Sequence, residues 1–279
     1  MKSIHLLFFC LLFLTCKSQQ TQTSASATAT IPAIVKETPP PPPAKAEIET
    51  QSKPAASPPA AEPKDTYGTI RGKVIYDGGE VHKTLNVIKD ETTCGSEDLV
   101  DESLLTDANG GIKWAVVSID SEVKNGKPLD ELPGDRVLNQ HMCQYQPHVV
   151  LVGVGQKLTI NNHDHTLHNV RTASFMNDPY NKVQIYVPGT PPPSDTTTFS
   201  EPEVVDVLCD VHGWMKAYIH VVEHPYYAVT GDDGSFEITK VPPGKYTLKV
   251  WQEKLGETTA TVEVKAGETA EITFHYPAK

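Results

Sequence analysis

The sequence predicts an all-β fold from Thr66 onward. Short runs rich in Val, Ile, Tyr and Thr recur at close intervals, and Gly, Pro, Asp and Asn separate them. No amphipathic helix longer than three turns is predicted. Strands this short and this regularly spaced are typical of β-sandwiches.

The predicted strands follow one another along the chain and end at turn residues. They are TIRGKVIYD, IKWAVVSID, HVVLVGVGQKLTI, NKVQIYV, PEVVDVL, AYIHVV, YYAVTG, GSFEITKV, GKYTLKVW, TATVEVKAG and AEITFHY. Residues 121–136 and 191–201 are rich in Pro, Gly, Asp and Glu, so we expect loops there.

Residues 1–16 have the pattern of an export signal. One lysine precedes an apolar run, Leu6 to Leu14, that is too short to span a bilayer. The FLTC that ends at Cys16 resembles the lipobox of bacterial lipoproteins, which implies lipidation of Cys16 and a membrane anchor. An ordinary secretory signal cleaved nearby is the alternative. We expect an exported protein, periplasmic or at the cell surface, and Lys17 favours the outer membrane because inner-membrane lipoproteins often carry Asp there.

Residues 17–65 are predicted to be a disordered, proline-rich linker. The segment has ten prolines and no aromatic residue, so it has too little apolar surface to offset the entropy of folding. Such a linker would hold a folded body away from a membrane surface.

The C-terminal part resembles the carboxypeptidase regulatory-like, or transthyretin-like, β-sandwich modules. The resemblance lies in a hairpin at Asp233–Gly234, a Pro-Pro-Gly turn at 242–244 and the Tyr-x-Leu that follows. The family's opening strands are missing just before residue 225. Similar strands occur instead at 68–78 and 112–120.

We therefore predict one sandwich built from 66–134 and 224–279, with a second domain, 135–223, inserted between them. An insertion is tolerated where the ends of a surface loop lie close together. In the alternative arrangement, 66–134 belongs to the middle domain. The two sandwiches then follow each other in sequence order, and the C-terminal one is incomplete.

Two stretches of the middle domain together resemble a cupredoxin. YQPHVVLVGVGQKLTINNHDHTLHNV (145–170) runs from an aromatic-x-Pro element through a strand into N-x-D-x-x-x-H-x-V. LCDVHGWM (208–215) has the Cys-x-x-His-x-x-Met spacing of the amicyanin ligand loop. The resemblance extends from 138 to 222 and implies a Greek-key β-sandwich.

The resemblance also implies one type 1 (blue) copper ion, held by His168, Cys209, His212 and Met215. The chemistry of these residues points the same way, because two imidazoles and a thiolate with a weak axial thioether form a blue-copper site. Asn169 matches the cupredoxin asparagine that joins the two ligand loops, and we expect it to support the site.

Electrons are expected to leave through His212. In the Cys-x-x-His-x-x-Met loop, the histidine lies nearest the end of the sandwich. We therefore expect its imidazole edge to emerge at the surface beside Gly213 and Trp214. An apolar patch of this kind suits a transient redox protein partner.

Cys94 and Cys143 are the two thiols without another assignment. Cys10 would be removed with the signal, Cys16 would carry lipid, and Cys209 would bind copper. Because exported proteins fold in an oxidising compartment, a disulfide between the remaining pair is expected.

The other histidines are assigned to structural or surface positions. His163 and His165 are expected to face solvent, and His148 is expected to be partly buried. A second metal site formed by His141, Cys143 and His148 is the alternative.

The leading hypothesis is a plastocyanin-like electron carrier outside the cytoplasm. A copper-storage or copper-sensing protein and a carbohydrate- or protein-binding scaffold are the alternatives. A formal net charge of −11 argues against a nucleic-acid partner. We do not expect an enzyme, because the sequence has neither a catalytic motif nor the second cupredoxin unit of multicopper enzymes.

Overall fold

A computed structural model describes residues 66–95 and 99–278. The regular secondary structure of this part is almost entirely β, as the sequence predicts. The exceptions are one short helix, α1 (Glu91–Cys94), and two 3₁₀ turns at Glu102–Leu104 and Leu129–Glu131. The predicted signal, Cys16 and the linker 17–65 lie outside the described residues. In the described ranges, no helix has both the length and the apolar character needed to cross a membrane.

Eighteen strands make up the described fold. They are β1 (Gly68–Tyr76), β2 (Leu105–Thr106), β3 (Ile112–Lys113), β4 (Val116–Ile119), β5 (Val137–His141), β6 (Gln144–Gln146), β7 (Val149–Gly153), β8 (Lys157–Asn162), β9 (His168–Ala173), β10 (Asn181–Gln184), β11 (Ser194–Thr198), β12 (Glu203–Leu208), β13 (Lys216–Val222), β14 (Tyr227–Val229), β15 (Ser235–Val241), β16 (Gly244–Gln252), β17 (Gly256–Val264) and β18 (Thr269–Tyr276).

One sandwich contains strands from both ends of the described chain. β1 lies between β15 and β18 in one sheet, and β4 lies between β14 and β16 in a second sheet that β17 completes. Buried side chains of both sheets form one core cluster. The insertion of 135–223 between 66–134 and 224–279 and the domain limits at 134/135 and 223/224 stay predictions.

Alternation along the strands explains how this core forms. In β16, every second side chain from Tyr246 to Gln252 is buried, because successive residues of a strand point to opposite faces of the sheet. The hairpin before β15 requires glycine at its tip. Gly234 has φ +74°, and a Cβ there would lie 2.5 Å from the carbonyl oxygen of Val74.

The second sandwich carries the predicted ligands. Its two sheets have the strand orders β10-β9-β12-β13-β7 and β11-β8-β5-β6. Their inner faces form a separate core cluster, which includes Cys209 and Met215.

The prediction of a loop over 191–201 was wrong, because β11 lies within it. The strand reads SDTTT and pairs antiparallel with β8 at the edge of its sheet. None of its residues is apolar, so no hydrophobic alternation marks it. Its β-branched threonines still favour an extended backbone.

A third apolar cluster joins the two sandwiches. It contains Val116 from the first sandwich, Val149 and Tyr218 from the second, and partly buried Trp251 packed against them. A buried polar contact adds to it: His148 Nε2 lies 2.6 Å from Glu253 Oε1, and the Tyr218 hydroxyl donates to Glu253 Oε2 at 2.9 Å.

Candidate metal centre

The hairpin loop between β12 and β13, residues 209–215, brings three of the four predicted ligands together. The amide of Met215 donates to the carbonyl of His212 at 2.9 Å, which tightens the end of the loop. β9 runs antiparallel beside β12. Its first residue, His168, therefore lies at the same end of the sandwich as Cys209.

The donor atoms of His168, Cys209 and His212 converge inside the protein. Ring nitrogens of the two histidines and the sulfur of Cys209 all lie within 4.8 Å of one another. The two Nδ1 atoms are 2.9 Å apart, and the amide nitrogen of His212 lies 3.4 Å from Cys209 Sγ. Both imidazoles are fully buried, and Met215 is buried in the same core cluster as Cys209.

A carboxylate holds the outer nitrogen of each imidazole. His168 Nε2 lies 2.8 Å from Asp164 Oδ2, and His212 Nε2 lies 2.8 Å from Asp90 Oδ2. An Nε2–H that donates to a carboxylate leaves the Nδ1 lone pair available as a ligand. The two carboxylates therefore present both Nδ1 atoms to the space beside Cys209.

Asp164 is itself fixed by the tip of the β5–β6 hairpin. Its side chain is buried and accepts the amides of Met142 at 2.7 Å and Cys143 at 2.8 Å. Sequence reasoning assigned Asp164 no role. The signal was present, because Asp164 is the aspartate of the N-x-D-x-x-x-H motif, four residues before His168.

Asn169 joins β9 to the ligand loop. Its Nδ2 donates to Asp210 Oδ2 at 2.8 Å and to Asn181 Oδ1 at 3.0 Å. Its Oδ1 accepts the amide of Asp210 at 2.7 Å and lies 3.5 Å from Cys209 Sγ. The side chain thus connects three segments around the thiol. That Asn169 supports a copper site stays a prediction.

The surroundings shift the pKa values of the donor groups. Burial raises the pKa of the Cys209 thiol, but hydrogen bonds from His168 and from nearby backbone amides outweigh it, and the net shift is downward. Burial lowers the pKa of His168, but Asp164 and Cys209 outweigh it, and the net shift is upward. Both shifts act in favour of the charged form, the thiolate of Cys209 and the imidazolium of His168.

The pKa of His212 is lowered. Burial is the largest cause, and the neighbouring charge of His168 acts in the same direction, against the opposing effect of Asp90. The neutral form of an imidazole is the form that binds metals.

The expectation that the His212 edge emerges at the surface is wrong. Its side chain is 0% exposed, because the segment before α1 lies over it and Asp90 bonds its Nε2. Trp214 is only partly buried, and its Nε1 donates to the carbonyl of Cys143 at 3.1 Å. That electrons leave through His212 and Trp214 stays a prediction.

Cys94 and Cys143 form a disulfide, the pairing expected from the cysteine count. The sulfurs of this bond lie within 4.8 Å of a ring nitrogen of His212. Among the described cysteines, Cys209 alone is free.

The structure does not bring His141, Cys143 and His148 together as a second donor set. The sulfur of Cys143 is in the disulfide, and both ring nitrogens of buried His148 are engaged, one of them by Glu253. His163 and His165 are exposed, as expected.

Comparison with protein families gives one match in the C-terminal half. A family model described as polysaccharide lyase family 4, domain II, matches residues 196–272, about a quarter of the chain. The resemblance to carboxypeptidase regulatory-like modules stays a prediction. No curated protein matches this chain.

Solved structures of copper proteins are similar to part of the chain. An oxidised proline-to-glycine variant of amicyanin is 21% identical, with a TM-score of 0.28. The match covers 38% of this chain and 98% of the amicyanin chain. A purple cupredoxin from Nitrosopumilus maritimus is 20% identical, with a TM-score of 0.24. The match covers 32% of this chain and 100% of the cupredoxin chain.

A copper-containing nitrite reductase from Thermus scotoductus SA-01 is 18% identical, with a TM-score of 0.26, covering 38% of this chain. This chain spans only 25% of the length of that reductase.

Proposed function

We propose that this chain is a copper-binding electron-transfer protein with one type 1 site. The observation that carries the proposal is the convergence of two imidazole Nδ1 atoms and the Cys209 sulfur in a buried space. His168, Cys209 and His212 would hold the ion, and Met215 would supply the weak fourth ligand.

The donor set suits copper. Magnesium and calcium prefer oxygen ligands, which this set does not offer. Structural zinc sites use cysteine, histidine and carboxylate ligands. A thioether beside a thiolate and two imidazoles is the combination used by blue-copper sites.

The protein's own residues would keep this donor set in one arrangement. Asp164 and Asp90 hold the two rings by their Nε2 atoms, and Asn169 holds the turn that carries Cys209. Burial of both histidines excludes water from the site. Copper, when bound, supplies a one-electron couple. Fixed ligands suit such a couple, because little rearrangement then accompanies a change of charge.

The proposal includes export, a lipid anchor at Cys16 and a redox protein partner. The Cys94–Cys143 disulfide supports the first of these, because disulfides persist mainly in oxidising compartments. The protein is proposed to be a carrier and not an enzyme.

A copper-storage or copper-sensing role is the second candidate. The burial of His212 under Asp90 favours it, because a site without an exposed ligand edge holds its ion away from other proteins. The two candidates share a binding site and differ in redox behaviour.

The test is a copper titration of the whole purified chain, followed by metal analysis, visible spectroscopy and electron paramagnetic resonance. One copper per chain with an intense thiolate-to-copper absorption band supports the carrier. One copper without that band favours storage. No copper would refute both and leave the scaffold hypothesis.

The Cys209→Ser variant tests the ligand assignment. It should lose the absorption band and most copper affinity, because serine cannot supply the thiolate. An unchanged spectrum in this variant would contradict the assignment.

A further inference from the structure

The segment before α1 forms a cover over His212. Val87 packs against the core of the second sandwich, and Lys89 Nζ donates to the carbonyl of Val211 at 2.8 Å. Asp90 follows and reaches His212 Nε2 at 2.8 Å. α1 then ends at Cys94, which is fully buried in the disulfide. We call residues 87–94 the cover segment.

Asp90 does not act as an ordinary helix cap. An aspartate before the first helical residue usually has an extended backbone and accepts a first-turn amide, which stabilises the helix by about 1 kcal/mol. Asp90 has φ 54° and ψ 35°, in the left-handed region, and its side chain caps no amide. Its carboxylate bonds His212 instead.

This departure from the common conformation points to a specific role. A non-glycine residue in the left-handed region is locally unfavourable and persists where surrounding structure requires it. Here the surrounding contacts are the bond to His212 and the disulfide four residues later.

We infer that Asp90 is a positioning residue for His212, held in place by the Cys94–Cys143 disulfide. By accepting the Nε2 proton, Asp90 fixes the imidazole in the tautomer whose Nδ1 faces His168 and Cys209. The inference about the ring concerns the metal-free protein. Its consequence for copper rests on the proposed function.

The disulfide connects the supports of both imidazoles. Cys94 lies on the cover segment with Asp90, whereas Cys143 donates its amide to Asp164, which holds His168. The carbonyl of Cys143 also accepts from Trp214 in the ligand loop. One covalent bond therefore ties the cover segment to the opposite side of the site.

The first test measures the ring tautomer of His212 by nitrogen NMR in the metal-free, whole chain labelled at histidine. We expect a single Nε2–H tautomer in the wild type and a mixture in Asp90→Ala. Asp90→Asn should restore the wild-type tautomer, because the amide oxygen still accepts the Nε2 proton. Glu91→Ala is the matched control, since it removes the same charge from the adjacent, exposed residue.

An unchanged His212 tautomer in Asp90→Ala would overturn the positioning role. If Asp90→Ala does not fold, Asp90→Leu takes its place, because it fills the space of the side chain without an acceptor, and an unchanged tautomer there would overturn the role in the same way. Asp90→Asn should match both the wild type and the control, and a mixed tautomer in Asp90→Asn alone would contradict acceptance by the side-chain oxygen.

The second test measures the rate of copper release to a chelator. Partners that orient a ligating histidine typically contribute about 10–100-fold in metal affinity. We expect Asp90→Ala to release copper faster by about this factor, with Asp90→Asn and Glu91→Ala near the wild type. The Cys94→Ala/Cys143→Ala variant should also release copper faster, because the cover segment loses its covalent attachment.

Equal release from Asp90→Ala, from the disulfide variant and from Glu91→Ala would overturn the role of the cover segment. A wild-type chain that binds no copper would instead refute the proposed function. The tautomer measurement needs no metal, so the two failures are distinguishable.

Discussion

Removing the Cys94–Cys143 disulfide should strongly destabilise the protein. The bond joins residues separated by 49 positions, and it lies between two fully buried side chains. Cross-linking a loop of this length reduces the entropy of the denatured chain by an amount worth about 4 kcal/mol. Whole domains are stable by only about 5–15 kcal/mol, so the loss would be a large fraction of the total.

Urea unfolding of the metal-free protein measures this contribution. The oxidised chain is compared with the same chain reduced in denaturant and refolded under reductant, so that the two samples differ only in the sulfur–sulfur bond. Tryptophan fluorescence and circular dichroism should report the same shift. The Cys94→Ala/Cys143→Ala variant is the control, because reductant should not change its stability.

If reduction lowers the free energy of unfolding by less than about 1 kcal/mol, the reasoning is refuted, because residual structure must then already restrict the denatured chain. A simultaneous increase in the slope of the unfolding free energy against urea concentration would support the reasoning, since the reduced denatured chain exposes more surface.

Two further predictions follow from single buried side chains. His220 is buried beside Trp251 with no partner for its Nε2, and burial lowers its pKa to about 3. Because the unfolded chain takes up this proton near pH 6.5 and the folded chain does not, His220 should reduce the free energy of unfolding by about 2 kcal/mol as the pH falls from 6.5 to 4.5. His220→Leu should remove that part of the pH dependence in urea unfolding at several pH values, and an identical pH dependence in the variant would contradict the assignment. Met215→Gln should keep copper but lower the reduction potential, because an axial ligand tunes the potential more than it holds the ion. Metal analysis and a potentiometric titration check this, and complete loss of copper would mean that Met215 is a main ligand or that the site is not of the blue type.

Local patterns in the sequence were sufficient to predict the ligand loop. Cys209, His212 and Met215 lie within seven consecutive residues between two apolar strands, so the hairpin that joins those strands brings them together. The upstream motif around His168 also ends in a strand. Antiparallel pairing of that strand with β12 then brings its first residue to the loop.

Patterns of alternation were sufficient for most strands, but β2, β5, β6 and β11 are not among the predicted ones. A strand such as β16 buries every second side chain, and apolar residues occupy most of those alternate positions in its sequence. β11 lies at a sheet edge and is polar throughout. Its pairing depends on backbone hydrogen bonds to β8, which leave no hydrophobic signal.

By itself, the sequence determined the all-β class, the donor set of the candidate site and the pair of cysteines available for a disulfide. Only the tertiary structure decided that the site is closed. Asp90 lies 122 residues before His212, on a segment with no motif of its own. Its contact with the imidazole depends on how this segment packs against the second sandwich. The burial of His212 follows from that long-range packing, because a short motif specifies its own turn but not the distant segment that lies over it.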